Sequence, residues 1–176
     1  MKSTSRNQEQ LPAELTGVAE PVSLARTLNP RCINFNLTAT DQDGVLRELV
    51  TLIVPPQEKR AFDALLKALK AREAMCPTCV NEGVAIPHSR NALIGVVDRA
   101  TLAYGRHRTG VDFGALDGKP VRHFFLLCAP NVREHLQLLA RLARLLNNPH
   151  FRARLDQTTQ PEEIVSLMEG AEQTLG

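Results

Sequence analysis

Between His123 and Ala129 the chain reads His-Phe-Phe-Leu-Leu-Cys-Ala, almost without a polar residue. A strand with one wet face alternates apolar and polar side chains, so a short strand that does not alternate has to be covered on both faces. This run predicts the middle strand of a sheet with helices packed above and below it. The rest of the chain then has to supply flanking strands and covering helices.

Ile33, Phe35 and Leu37 alternate with polar neighbours like a half-buried strand. Val84 to Pro87, Ala100 to Tyr104 and Val121 to Ala129 are the other strand candidates, divided by Gly105, Gly110, Gly114 and the Asp117-Gly118 turn pair. Val45, Leu46, Leu49, Val50 and Ile53 fall at helical spacing, with Asp41 or Asp43 as N-terminal cap and Pro55-Pro56 as the stop. Phe62, Leu65, Leu66 and Leu69 define a second amphipathic helix from about Gln57 to Glu73. Further helices are expected from about Val132 to Leu146, near Phe151 to Leu155, and from Pro161 to Leu175. Helices on both sides of the strands in sequence predict an α/β fold, a three-layer α/β/α sandwich. Residues 1–20 carry Pro12 and Gly17 and no sustained period, and read as a mobile tail ahead of a single domain, 21–176.

Composition narrows the class of protein. With 176 residues, 43% of them apolar, the chain is long enough to bury a core of its own. No apolar stretch approaches the ~20 residues that cross a bilayer, and the polar N-terminus has no apolar signal region. The expectation is a cytoplasmic protein without membrane insertion. Cys32, Cys76, Cys79 and Cys128 are then expected to be reduced thiols. A formal net charge of +2 gives no strong preference for polyanions. Arg133, Arg141, Arg144, Arg152 and Arg154 read as the solvated faces of helices, and no nucleic acid is expected.

The chemistry gathers around three residues. Gly83-Val84-Ala85-Ile86-Pro87-His88 places an imidazole directly after a short apolar run that ends at proline, whose locked φ fixes the chain just before the ring. Taken alone, His88 is one of five histidines. Arg72, however, comes out near the C-terminal end of the second helix, at the edge of its buried face. His135 lies in the first turn of the Val132 helix, where Asn131 and Glu134 form a near capping box. On a wheel of about 100° per residue, Leu139, Leu142, Ala143 and Leu146 share the His135 side, whereas Arg133, Gln137, Arg141 and Arg144 face away. His135 is therefore expected to point inward. A helix N-terminus favours a bound anion and disfavours protonation of a nearby imidazole. A neutral histidine nucleophile, an arginine fork and a second imidazole suit phosphoryl transfer to and from a ring nitrogen.

Arg72-Glu73, the Gly83–His88 run, Asp112-Phe113 with Asp117-Gly118, and His135-Leu136 together resemble the IIA proteins of the bacterial phosphoenolpyruvate-dependent phosphotransferase system. The likeness is to the fructose and mannitol class, and most of all to its stand-alone nitrogen-regulatory branch. The resemblance runs from about Ile33 to the C-terminus. It implies a mannitol-type IIA fold with a mixed central sheet. It also implies that His88 is the phosphoryl acceptor, that Arg72 stabilises the phosphate, and that His135 assists the phosphate or His88. The implied donor is a small histidine phosphocarrier protein, HPr or its nitrogen-branch counterpart, and no metal or cofactor is implied. The implied outputs are regulated protein targets, or a IIB component in sugar uptake. A binding module of the same fold with an idle site is a further alternative.

Where the family has small residues and a Ser-Thr pair, this chain reads Met75-Cys76-Pro77-Thr78-Cys79-Val80-Asn81-Glu82, with Thr78 retained. Cys76 and Cys79 form a C-x-x-C, but no second pair of ligands completes a zinc site, and two small loop residues is the simpler reading. His107 is expected in an exposed basic turn and His150 on the surface. His123 begins the apolar strand, and no role follows for it.

Overall fold

The protein is described by a computed structural model covering residues 22–80, 82–90 and 97–174. The expected N-terminal tail, Asn81 and the expected helix end at Leu175 lie outside these residues.

The apolar run is β4 (Val121–Cys128), an interior strand of a four-stranded sheet. On one side β4 pairs antiparallel with β3 (Thr101–Val111), which pairs parallel with β1 (Leu28–Leu37) at one edge. On the other side β4 pairs parallel with β2 (Val84–Ala85). The sheet is thus mixed, in the order β1-β3-β4-β2. Phe124, Leu126 and Cys128 enter one core, with α2 (Gln42–Thr51) and α3 (Lys59–Met75). Phe125 and Leu127 enter the other, with α1 (Leu24–Thr27), α4 (Val132–Leu146), α5 (Pro149–Gln157) and α6 (Pro161–Gln173). This is the three-layer arrangement that a strand without a wet face requires.

Several boundaries differ from expectation for local reasons. β3 runs through Gly105 and Gly110 instead of ending there. A Cβ at Gly105 would lie 2.7 Å from Leu37 Cδ1 and 2.8 Å from Leu49 Cδ2, so this glycine admits close packing and makes no turn. Gly110 has φ +87° and sits where the β3–β4 register shifts. His107 accordingly lies in a strand, half-buried, and its Nδ1 accepts the Gly110 N–H at 2.9 Å. The expected exposed turn is not there. β2 stops at Ala85 because Pro87 has no N–H to extend the ladder. Contact with β4 resumes as a single bridge, His88 to Leu127, and the Pro87 carbonyl accepts the Leu127 N–H at 3.0 Å. The outer side of β2 is lined antiparallel by Thr78–Val80, with Ile86 N–H donating to Thr78 O and Val80 N–H to Val84 O. β1 begins five residues earlier than Ile33, through a register shift between Leu28 and Ile33. The four residues of α1 are too few to produce a periodic signal.

Helix capping settles the remaining choices. Asp41, not Asp43, caps α2, accepting the Gly44 N–H at 2.7 Å. Asn131 caps α4, accepting the Glu134 N–H at 2.9 Å. The buried face of α4 is His135, Leu138, Leu142, Leu145 and Leu146, with Leu139 and Ala143 half-buried at its margin. Arg141 does not face away: it is half-buried, and its NH2 lies 3.4 Å from Glu172 of α6. Arg152 is also half-buried, donating to the Leu146 carbonyl, whereas Arg133, Arg144 and Arg154 are exposed. His150 is at the surface, as expected.

Candidate functional site

The three expected site residues come from three elements and meet at the end of β2 and β4. His88 follows β2 directly and is held against Leu127 of β4 by the bridge beyond Pro87. It is 8% exposed. Its Nδ1 lies 2.7 Å from the Ile86 carbonyl, and because a carbonyl only accepts, Nδ1 carries the proton and Nε2 the lone pair. His135, in the first turn of α4, is also buried, with its ring centroid 5.5 Å from that of His88 and the planes tilted by 48°. Arg72 stands in the last turn of α3. Its guanidinium donates to the Cys76 carbonyl at 2.7 Å, and its charge is felt at His88.

The electrostatics favour a neutral nucleophile. Burial holds His88 below the ordinary histidine pKa; the bond to Ile86 opposes this, and the positive charge of Arg72 and the presence of His135 lower it further. Burial alone lowers the pKa of His135. Two imidazoles with lowered pKa, the charge of Arg72 and the N-terminal end of α4 make the local electrostatics favourable to an anion.

Beside these residues lies a partnership of Glu73 and Thr78 that no sequence motif marks. Glu73 is 5% exposed and accepts from both the N–H and the hydroxyl of Thr78, itself 6% exposed. Periodicity gives a weaker signal: Glu73 continues the α3 apolar stripe of Phe62, Leu65, Leu66 and Leu69 at helical spacing, and a carboxylate in such a stripe needs a buried partner. Burial pushes its carboxyl up, while the Thr78 bonds and Arg72 pull the other way.

Cys76 is exposed and Cys79 half-buried, its Sγ 3.5 Å from the Phe113 carbonyl. Burial and the neighbouring Glu73 push the Cys79 thiol up to about 12, which keeps it protonated and unreactive. Among the described residues no group of three or more His, Cys, Asp or Glu is placed to hold a metal ion. His123, of uncertain role in the sequence, is buried between the Tyr104 hydroxyl, 2.7 Å from Nδ1, and the Asp156 carboxylate, 3.2 Å from Nε2.

The fold is thus a mixed sheet covered on both faces, with a buried imidazole at its end, a second imidazole beside it and an arginine whose charge reaches it. The chain belongs to the EIIA 2 family of the phosphoenolpyruvate-dependent sugar phosphotransferase system, whose family model matches residues 26–171. It is 34% identical over 144 residues to a nitrogen regulatory protein of Bradyrhizobium diazoefficiens, covering 79% of this chain and 90% of the relative. It is 29% identical to the fructose-specific EIIABC component of Bacillus subtilis over 84% of its own length, but spans only 23% of that longer protein. The crystal structure of the nitrogen regulatory protein IIA-Ntr from Neisseria meningitidis superimposes with a TM-score of 0.72 at 30% identity, over 82% of this chain and 97% of that one. Among the described residues no helix is long and apolar enough to cross a membrane.

Proposed function

We propose that this protein is a phosphohistidine carrier whose acceptor atom is Nε2 of His88, and that it works mainly as a cytoplasmic regulator of nitrogen or carbon metabolism or of transport. The observation that carries the reading is the Ile86 carbonyl on Nδ1, which leaves the Nε2 lone pair for attack. The donor is the phosphohistidine of a small histidine phosphocarrier protein. As the bond from His88 Nε2 to phosphorus forms, the donor's N–P bond breaks and its electron pair returns to the donor imidazole. The phosphorylated His88 ring keeps its Nδ1 proton, and Ile86 O stabilises the charge that the ring acquires. Arg72 offers a fork to the equatorial oxygens, and His135 offers a ring N–H. No metal or cofactor is required by these steps.

Regulation follows from the surface around the site. Met75, Val132 and Leu136 are 61%, 59% and 58% exposed, and they stand on α3 and α4 within a few residues of Arg72 and His135. A phosphoryl group brings about −1.5 to −2 charge to this surface, so a partner that docks on apolar side chains binds the unphosphorylated form. The relatedness to a sugar-specific EIIABC protein supports a second reading, in which the phosphoryl group passes to a IIB component for sugar uptake.

Intact mass after incubation with phosphoenolpyruvate, enzyme I and the phosphocarrier protein tests the proposal. One acid-labile phosphate is expected on the wild type and on His135→Ala, and none on His88→Ala. Phosphate retained by His88→Ala overturns the assignment. Loss of the phosphate on adding a IIB protein would favour the sugar branch.

A further inference from the structure

The apolar stripe of α3 ends on a buried acid, and both of its oxygens are taken by one residue. Thr78 N–H donates to Glu73 Oε2 at 3.0 Å, and the Thr78 hydroxyl donates to Oε1. Thr78 is connected in two further directions. Its carbonyl accepts the Ile86 N–H at 3.0 Å, and the Ile86 carbonyl accepts from His88 Nδ1 at 2.7 Å. Two residues before it, the Cys76 carbonyl receives the Arg72 guanidinium at 2.7 Å. Pro77 lies between these anchors, and Cys76 takes the extended backbone (φ −171°, ψ 132°) that a following proline imposes. A continuous hydrogen-bonded path therefore runs from the helix that carries Arg72, through Glu73, Thr78 and Ile86, to the ring of His88.

We propose that Glu73 and Thr78 are a positioning pair that sets the Arg72 guanidinium against Nε2 of His88 for phosphoryl transfer; this rests on the reading of His88 as acceptor. An apolar residue at 73 would continue the stripe without the cost of burying a carboxylate. What the carboxylate adds is direction. It grips the N–H and O–H of one residue, so the Cys76-Pro77 segment has one placement, and Arg72 has one carbonyl to dock on. Both oxygens of Glu73 are taken by Thr78, so the pair acts through the placement of Arg72. In phosphoryl transfer most of the catalysis is placement of charge, and displacement by about 1 Å can cost up to about a hundredfold in rate.

Single-turnover transfer from the phosphorylated small phosphocarrier protein to the full chain tests this. Thr78→Val keeps the shape and the backbone N–H but removes the hydroxyl. It is expected to lower the transfer rate constant about tenfold, with half-saturation by the donor unchanged. Thr78→Ser restores the hydroxyl and is expected to return the rate to within about twofold of wild type. In an Arg72→Ala background Thr78→Val is expected to add less than about twofold, because its effect passes through the arginine. Should Thr78→Val not fold, as judged by its melting curve, Glu73→Gln is measured in its place with the same expectations. An unchanged rate, a loss confined to donor affinity, or a full tenfold loss persisting without Arg72 overturns the proposal. A wild type that takes no phosphate removes the His88 reading itself, whereas an active wild type with insensitive variants removes the positioning pair alone.

Discussion

At the scale of the residue, His88 is already buried and held through Nδ1 by the Ile86 carbonyl. Its pKa is depressed chiefly by burial, so protonation of the ring needs a pH below the ordinary histidine value of about 6.5. Phosphoryl uptake at a fixed donor concentration is expected to fall as the pH drops, reaching half its plateau rate only below pH 6.5. An NMR titration of the ring proton should give a midpoint under 6.5 for both His88 and His135; a midpoint at or above 6.5 for His88 would contradict the account. These two histidines and Arg72 were legible in the sequence because each has a local marker: a proline before one, a helix cap before the second, the end of an amphipathic stripe for the third. The Glu73–Thr78 pair was not legible as a pair. Its partners are linked by a loop conformation, and helix periodicity says nothing about loops.

At the scale of the element, the helices were read more closely than the strands. α4 begins and ends where its cap and period place it, because Asn131 and the apolar face are local facts. The extent of β3 depends on neighbours distant in sequence. Gly105 looked like a break, yet it is a seat for Leu37 of β1 and Leu49 of α2. Gly105→Ala is therefore expected to overpack this seam and to destabilise the fold by about 1–3 kcal/mol, read as a lower urea midpoint with an unchanged m-value. A substitution tolerated within about 0.5 kcal/mol would restore the reading of Gly105 as a turn residue. Arg141 was misplaced for a related reason: a helical wheel shows which side of α4 is apolar, but not that α6 brings Glu172 to its flank.

At the scale of the whole molecule, one doubly covered strand organises two cores, and α6 closes the second around the start of the described chain. The Glu172 carboxylate accepts from the Ser23 hydroxyl and from the N–H groups of Leu24 and Ala25. The same side of the sheet carries a buried titratable group outside the site. His123 is lowered to about 4, first by burial, with Arg122 and Arg106 reinforcing this and Asp156 opposing it. A histidine buried neutral binds fewer protons folded than unfolded. Its contribution is intact above the unfolded value near 6.5, declines as the pH falls from there towards about 4, and amounts to about 3 kcal/mol in all. Urea unfolding at pH 7 and pH 4.5 should show this loss. His123→Leu should be less stable at pH 7, where Tyr104 loses its partner, and less sensitive to acid. Equal acid sensitivity in variant and wild type would assign the effect elsewhere.

The proposed role of His88 is that the neutral ring, held through Nδ1 by the Ile86 carbonyl, takes the phosphoryl group on Nε2. Long-range proton–nitrogen correlation spectra of the phosphorylated protein read this directly. Phosphorus coupling is expected on Nε2 of His88 with Nδ1 still protonated; phosphate on Nδ1, or on any other histidine, would overturn the assignment.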